Sequence, residues 1–199
     1  MKKNLALIVV DVQNDFCPGG ALAVNEGDAV VPVLNRYIDL FTSSGLAVIL
    51  TRDWHPADTK HFKKFGGLWP EHCVQQTTGA AFHPNLRIPS NAMILSKGIS
   101  KELDGYSVFQ ASDAQGQNFA QILRLHHIDE LFIGGLATDY CVKETALDAC
   151  RHGYKVHVLS DAVKGVDLNP GDSLRAAEEM KQAGAVMVAF DQVTGFIRA

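Results

Sequence analysis

Six short apolar runs recur along the chain and limit the folds open to it more than any other feature. They are nearly continuous, rich in β-branched residues and bounded by turn residues: LALIVVDV, LAVILT, AMILSKG, ELFIGGLA, KVHVLSDA and AVMVAF. Runs of this kind are typical of strands that are covered on both faces, as they are in parallel sheets. We therefore expect these runs to form the strands of such a sheet.

Helical periodicity occupies segments between the runs. Apolar side chains return to one helical face over residues 30–41, 119–126 and 174–180. The third of these helices has Asp172 or Ser173 as a candidate cap at its start. Strands that alternate with helices of this length indicate a Rossmann-like α/β fold with three layers, in which a mostly parallel sheet is flanked by helices on both faces.

The length and the charge of the chain indicate a soluble globular protein with a small-molecule partner. Its 199 residues, 47% of them hydrophobic and 20% charged, are expected to form one domain over residues 1–199. The formal net charge of -4, without lysine or arginine runs, gives no electrostatic footprint for nucleic acid or an anionic membrane. A small-molecule partner is therefore expected.

The N-terminus and the cysteines both favour a cytoplasmic protein. The apolar stretch Leu5 to Val10 is too short for a typical secretory signal, and it ends at Asp11 without a small-residue cleavage site. No apolar run approaches the length of a membrane span. The four cysteines, at positions 17, 73, 141 and 150, are therefore expected to stay reduced.

Polar or reactive residues follow four of the predicted strands. Each comes where an apolar run ends: Asp11, Asp53, Lys97 and Cys141. The carboxyl ends of parallel strands meet at one edge of the sheet, and ligands of such sheets bind beyond that edge. These four residues are therefore expected to lie close together.

Cys141 is the candidate nucleophile of this group. It lies near the start of a predicted helix, capped by Thr138 or Asp139, where backbone N–H groups and the helix dipole favour a thiolate and can hold an oxyanion. Asp11 is the candidate base for the thiol proton, and Lys97 is the cation that keeps the carboxylate charged. Each residue taken alone is more often structural. Their joint placement at strand ends is what favours catalysis.

A second group of polar residues indicates a metal ion. Asp53 and His55 stand two residues apart on one face of extended chain, so both can reach the same ion. His61 and His72 follow in the long irregular segment 53–89, and a loop of that length is unusual in a compact domain unless it is functional. A carboxylate with two or three imidazoles suits zinc, iron or manganese. The alternative is a histidine-rich loop that only supplies polar surface.

Five segments of the chain together resemble the nicotinamidases of the isochorismatase-like hydrolase superfamily. They are VVDVQNDFCPGGALAV, TRDWHPADTKHF, WPEHCVQQTTGAAFHP, ILSKG and GGLATDYCVKETALDA. The resemblance runs in order from about Leu5 to Phe190. It implies an isochorismatase-like fold and an enzyme of NAD salvage that converts nicotinamide and water into nicotinate and ammonia through a cysteine thioester. Such an enzyme is also expected to act on pyrazinamide.

The resemblance implies a role for each matching catalytic residue. Asp11, Lys97 and Cys141 fall on the catalytic triad of the family. A cis peptide between Leu136 and Ala137 is also implied. It turns the backbone N–H groups of Ala137 and Cys141 toward the oxyanion.

The resemblance likewise implies a metal site and an aromatic pocket. The implied metal ligands are Asp53, His55 and His72, with His61 at a position that contributes directly or through water. Phe16 and Trp69 match the aromatic pair that sandwiches the substrate ring in the family. Tyr106 is a further candidate to line this pocket as an aromatic residue near a loop, and the alternative is that such residues only cover the core.

The sequence is also compatible with other functions. A sibling hydrolase of another amide, or of a carbamoyl or ureido compound, would need the same aspartate, lysine and cysteine. A non-catalytic metal- or ligand-binding module would keep the architecture but carry an unreactive cysteine. The expected cofactor is one divalent ion, with zinc as the first choice and iron or manganese as alternatives. The sequence also leaves the oligomeric state open, although members of the superfamily often self-associate as homo-oligomers.

Overall fold

A parallel sheet forms the centre of the molecule, for which a computed structural model describes residues 4–198. Within this range its strands are β1 (Leu5–Val10), β2 (Ala47–Asp53), β3 (Met93–Lys97), β4 (Glu130–Leu136), β5 (Lys155–Lys164) and β6 (Val186–Val188). They are hydrogen-bonded in the order β3-β2-β1-β4-β5-β6, and each neighbouring pair is parallel. The prediction that the apolar runs form a parallel sheet is therefore confirmed.

Helices connect the strands in the described part of the chain. They are α1 (Val30–Ser43), α2 (Phe119–Leu125), α3 (Lys143–Arg151), α4 (Asp172–Gln182) and α5 (Phe190–Arg198), and a π-helical turn, Thr138–Val142, leads directly into α3. Helix α5 was not predicted, because its first residue, Phe190, ends the apolar run AVMVAF. None of the helices within residues 4–198 has the length and apolar character needed to cross a membrane.

The two faces of the sheet are covered by different helices. Alternate side chains of a strand point to opposite faces, so Val9 belongs to the same core cluster as Phe41 of α1, while Ile8 belongs to the core cluster of the other layer with Met180 of α4. Helices α1 and α5 cover the first face, and α2, α3 and α4 cover the second. Each fully buried side chain of this size stabilises the fold by about 1.5–3 kcal/mol relative to an exposed one. The predicted three layers are therefore present.

The strand order reverses in the middle of the sheet, between β1 and β4. From β1 the chain passes to β2 and β3 on one side, and from β4 to β5 and β6 on the other. Such a reversal leaves a crevice beyond the carboxyl ends of the two central strands, where sheets of this kind bind ligands. Asp11 follows β1 and Ala137 follows β4, so a functional site is expected in this crevice.

The start of the helix that follows β4 differs from the prediction. Neither Thr138 nor Asp139 caps it, because Ala137 is the N-cap residue of the π-helical turn and no side chain bonds to the cap. The Asp139 carboxylate instead accepts hydrogen bonds from the backbone N–H groups of Val166, at 2.9 Å, and Asp167, at 2.8 Å. Asp139 thus fixes the loop after β5 rather than the helix.

Helix α4 also begins differently from the prediction. Its N-cap is Gly171, with a φ of 85° and no side-chain cap bond. Asp172 is the first helical residue, and its carboxylate accepts the backbone N–H of Asn169 at 2.8 Å. The N–H of Ser173 donates to the Asp167 carboxylate at 2.8 Å. Neither Asp172 nor Ser173 is therefore the N-cap, and the carboxylate of Asp167, which lies outside the helix, accepts the N–H of Ser173.

Candidate active site

Asp11, Lys97 and Cys141 meet at the central crevice. Lys97 Nζ lies 2.8 Å from Asp11 Oδ2 and 3.2 Å from Cys141 Sγ, and it also bonds to the Asp53 carboxylate. One oxygen each from Asp11 and Asp53 and the Cys141 sulfur all lie within 4.8 Å of one another. All four residues are buried. The four strand-end residues therefore lie together as expected.

Neighbouring strands deliver these side chains at one level of the sheet. Asp53 of β2 lies opposite Lys97 of β3 in the register. Asp11 follows β1 with a φ of 49°, a left-handed conformation that aspartate tolerates better than most residues. Thr51 of β2 holds it, since the Thr51 hydroxyl donates to Asp11 Oδ1 at 2.8 Å and the Thr51 carbonyl accepts the Asp11 N–H at 3.2 Å. The Asp11 carboxylate is thus fixed from two sides.

Lys97 decides the charge of both carboxylates. Burial by itself lowers the pKa of Lys97, but Asp11 and Asp53 outweigh it and hold that pKa well above its usual value. Burial by itself raises the pKa of Asp53, but the charge of Lys97 and the nearby His55 hold it well below its usual value. Burial raises the pKa of Asp11 to about 6, against the opposing effect of Lys97. Asp11 is therefore ionised at neutral pH but close to its pKa, which suits a group that takes up and returns a proton.

Cys141 is a weak acid in this site, contrary to the expectation drawn from its place near a helix start. Burial raises the pKa of its thiol well above the usual value, and the attraction of Lys97 does not offset the combined effect of burial and the Asp11 charge. The resting group at neutral pH is therefore a thiol. A base must remove its proton before the sulfur can attack a carbonyl carbon.

Three histidines form a second group beside this cluster. One nitrogen from each of His55, His61 and His72 lies within 4.8 Å of the others. In each ring Nδ1 already bonds to a protein oxygen: His55 to the Gly98 carbonyl at 3.1 Å, His72 to the Pro70 carbonyl at 2.8 Å and His61 to the Asp104 carboxylate at 2.8 Å. The nitrogen left available in each ring is therefore Nε2.

The available nitrogens fit a divalent metal ion. A carbonyl oxygen only accepts, so Nδ1 of His55 and His72 carries the proton and Nε2 carries the lone pair. His55 Nε2 is buried and has no hydrogen-bond partner among residues 4–198. Burial lowers the pKa of His72 to about 4, so this ring is neutral at pH 7. Imidazole ligands held from behind by hydrogen bonds, with an unpartnered nitrogen in front, are the usual arrangement of a metal site.

Asp53 joins the two groups. One of its oxygens bonds to Lys97, and the other, Oδ2, lies 3.7 Å from His55 Nε2. Gln13 holds the Asp53 backbone, because its side-chain amide donates to the Asp53 carbonyl at 2.8 Å and accepts the Asp53 N–H at 2.7 Å. Gln13 was not predicted from the sequence. The only signal in the sequence was its position two residues after Asp11.

A pocket of about 340 Å³ opens onto Cys141. This space includes part of the open mouth of the pocket, and the enclosed part beside Cys141 is much smaller. The three aromatic residues singled out from the sequence all line it: Phe16, Trp69 and Tyr106. Ala137 lines it too, and the peptide bond between Leu136 and Ala137 is cis, as the resemblance implied.

Tyr140 also lines the pocket and was not predicted. Its ring meets Trp69 edge to face, with 4.9 Å between ring centroids, and lies 5.9 Å from the Tyr106 ring. Trp69 Nε1 in turn donates to the Tyr106 hydroxyl at 2.8 Å. The three rings therefore form one connected wall. The only sign of Tyr140 in the sequence is its position directly before Cys141.

Comparison with known proteins identifies the family. Residues 5–192 match the isochorismatase domain family. A nicotinamidase of Escherichia coli (strain K12) is 46% identical, over 92% of this chain and 93% of its own. A solved pyrazinamidase of Pyrococcus horikoshii in complex with zinc is 46% identical over 94% of this chain and 99% of its own, with a TM-score of 0.86. The PnC1 protein of L. infantum, solved in complex with nicotinate, is 32% identical over 94% of this chain and 93% of its own, with a TM-score of 0.82. The chain therefore belongs to the isochorismatase domain family, in the group that contains the nicotinamidases.

Proposed function

We propose that this protein is a metal-dependent nicotinamidase, which hydrolyses nicotinamide to nicotinate and ammonia as a step of NAD salvage. The observation that carries the proposal is the contact of Lys97 Nζ with both Asp11, at 2.8 Å, and the Cys141 sulfur, at 3.2 Å. A carboxylate, an ammonium and a thiol in this arrangement are the groups that a thioester mechanism requires. The nicotinamidase relative at 46% identity supports the choice of substrate.

Asp11 begins the reaction as the base. Its carboxylate takes the thiol proton of Cys141, and the sulfur attacks the amide carbon, so that a C–S bond forms and the carbonyl oxygen becomes an oxyanion. The backbone N–H groups of Ala137 and Cys141 hold this oxyanion. Asp11 then gives its proton to the amide nitrogen. The C–N bond breaks, ammonia leaves, and a thioester remains on Cys141.

Water completes the turnover. Asp11, ionised again, takes a proton from a water molecule whose oxygen attacks the thioester carbon. The C–S bond breaks, the Cys141 sulfur recovers the proton from Asp11, and nicotinic acid forms, which leaves as nicotinate when its remaining proton passes to solvent. Lys97 keeps its charge throughout and offsets the charge of Asp11 whenever that carboxylate is ionised.

The aromatic pocket binds the ring of the substrate. The pyridine ring lies between Phe16 and Trp69, and the hydrogen bond of 2.8 Å from Trp69 to Tyr106 keeps the indole from turning. The pocket is lined mostly by aromatic and apolar side chains, which suits the ring of one small aromatic amide. Pyrazinamide, which has the same shape, is a second substrate of this site. The pyrazinamidase of Pyrococcus horikoshii supports that assignment.

A divalent metal ion is the proposed cofactor. His55, His72 and His61 would hold it through Nε2, together with the Asp53 carboxylate. The unpartnered Nε2 of His55 is the observation in favour of this ligand set. We name zinc, because imidazoles with one carboxylate suit it and because the pyrazinamidase of Pyrococcus horikoshii is in complex with zinc. When bound, the ion supplies a Lewis acid beside the pocket.

The cytoplasm is the proposed compartment. All four cysteines are unpaired. Cys141 has to stay reduced in order to act as a nucleophile, and the cytoplasm is the compartment that keeps thiols reduced.

An ammonia-release assay on a panel of amides, with metal analysis of the same sample, tests the proposal. The panel contains nicotinamide, pyrazinamide and a ureido acid. We expect rapid release from the first two and one divalent ion per chain. Faster release from the ureido acid would favour a sibling hydrolase instead. Release from none of the three, together with a Cys141 that resists alkylation, would favour a non-catalytic binding module.

A further inference from the structure

The three histidines differ in what holds their Nδ1 atoms. His55 and His72 donate to backbone carbonyls, whereas His61 donates to the carboxylate of Asp104 at 2.8 Å. A backbone carbonyl is placed by the fold and persists whatever side chain the residue carries. The hold on His61 therefore depends on one side chain, and that side chain can be replaced.

The hydrogen bond from His61 Nδ1 to Asp104 determines that His61 Nε2 is the nitrogen that faces His55 and His72. The His61 side chain is 4% exposed and that of Asp104 is 59% exposed. The His61 ring stacks on His55, with 4.7 Å between centroids, and meets Tyr106 edge to face at 5.6 Å. These packing contacts are the same when the ring is turned over by half a turn, which would move Nε2 away. Among the contacts of the His61 ring within residues 4–198, the bond from Nδ1 is the one that distinguishes the two orientations.

The loop of residues 98–105, whose two ends lie in contact, positions Asp104. Gly98 and Gly105 have φ values of 63° and 76°, and a Cβ on Gly105 would lie 2.3 Å from the backbone nitrogen of Gly98. The two ends of the loop therefore touch, which glycine alone permits here. Asp104 precedes this contact by one residue. Its position is thus set by the closed loop and by the buried ring it bonds.

We infer that Asp104 is a positioning residue for the metal ion, because its carboxylate turns Nε2 of His61 toward the other histidine nitrogens and so makes His61 a direct ligand. The inference rests on the proposed function, since it takes the histidine group to hold a metal. A carboxylate behind an imidazole also makes that imidazole a stronger ligand. Asp104 therefore acts on metal affinity, through His61, without touching the ion.

The zinc affinity of the metal-free protein, titrated in competition with a chromophoric chelator, tests this inference without relying on activity. Asp104→Ala should weaken zinc binding by about 10–100-fold. Asp104→Asn should lose less, because the asparagine oxygen can still accept the Nδ1–H bond of His61. Glu102→Gln is the matched control, since it removes the exposed ion pair with Lys60 from the same loop and should leave the affinity unchanged.

A double-mutant comparison separates positioning from general damage to the loop. In a His61→Ala background, Asp104→Ala should cause no further loss of zinc affinity, because Asp104 acts only through His61. With cobalt in place of zinc, the visible absorption spectra of the two single variants should change in the same way. Circular dichroism and Asp104→Asn together cover the case in which Asp104→Ala does not fold.

Several results would contradict the inference. Equal zinc affinity in the wild type and in a folded Asp104→Ala protein overturns the role of Asp104, and so does a loss in Asp104→Asn as large as that in His61→Ala. An equal loss in the presence and absence of His61 overturns it too, since Asp104 would then not act through that ring. If the wild type takes up no zinc, the proposed metal site falls and this inference falls with it. If the wild type binds zinc and substitution of Asp104 does not change the affinity, the inference is overturned but the proposed metal site is not.

Discussion

Replacement of Lys97 by methionine tests what the buried ammonium does. Lys97 is fully buried and contacts both Asp11 and Asp53. Methionine is of similar length but uncharged, so the variant leaves two buried carboxylates without this counter-charge. Removal of one partner from a buried ion pair costs about 3–5 kcal/mol. We expect the free energy of unfolding of Lys97→Met at pH 8 to fall by that amount.

The loss of unfolding free energy in Lys97→Met should depend on pH, and the titration of Asp11 determines whether it grows or shrinks as the pH rises. Burial raises the pKa of Asp11 to about 6 in the wild type, and Lys97 opposes that rise. Without Lys97, the pKa of Asp11 moves further up. A carboxyl group whose folded pKa exceeds its unfolded pKa stabilises the fold below the unfolded value, and this stability is lost as the pH rises through the folded value. In the variant the loss therefore continues above about pH 6, and the gap to the wild type widens between about pH 6 and pH 8.

Urea unfolding of the metal-free proteins at these two pH values is the assay. Lys101→Met is the matched control, because it removes an exposed ion pair with Asp58 from a neighbouring loop. An exposed pair contributes about 0–1 kcal/mol, so the control should change little. The role of Lys97 is refuted if its variant loses no more stability than Lys101→Met at pH 8. A loss of equal size at both pH values refutes the part assigned to Asp11.

The remaining predictions concern the acid limb of activity and the metal. The kcat/KM for nicotinamide should fall with a one-proton slope below about pH 6, as Asp11 becomes protonated; a flat profile across that range contradicts Asp11 as the base. Thr51→Val removes the bond of 2.8 Å to Asp11. Because that bond favours the ionised carboxylate, the acid limb should move to higher pH in the variant, and an unmoved limb speaks against this coupling. His55→Ala should lower the zinc content measured by atomic absorption, whereas His83→Ala should keep the zinc content of the wild type. A zinc content in His55→Ala equal to that of the wild type would exclude His55 as a ligand.

The fold could be predicted because its signals are local. The residues of β1 are apolar without interruption, which identifies a strand covered on both faces before any contact is known. The helix starts could not be predicted in the same way. Asp139 bonds to backbone groups 27 and 28 residues further on, so its role depends on a loop that the sequence does not place. The prediction of one domain over residues 1–199 stays a prediction.

The site was predictable where strand ends determine it and unpredictable where loops do. Asp11 and Cys141 could be paired in advance because the carboxyl ends of parallel strands share an edge. Gln13 and Asp104 act through hydrogen bonds that close only when distant loops meet, 40 and 43 residues apart. The acidity of the thiol was misjudged for a different reason. It depends on how completely Cys141 is removed from water, which no sequence pattern reports.

The rate of ammonia release from nicotinamide by Cys141→Ala, beside the wild type, tests the central claim most directly. Both proteins should be produced in a host without its own nicotinamidase, loaded with zinc and shown to be folded by urea unfolding. We expect turnover to fall by about 10⁴-fold or more, the scale of loss when a catalytic nucleophile is removed. Turnover by the folded variant at a rate near that of the wild type would contradict the assignment of Cys141 as the nucleophile.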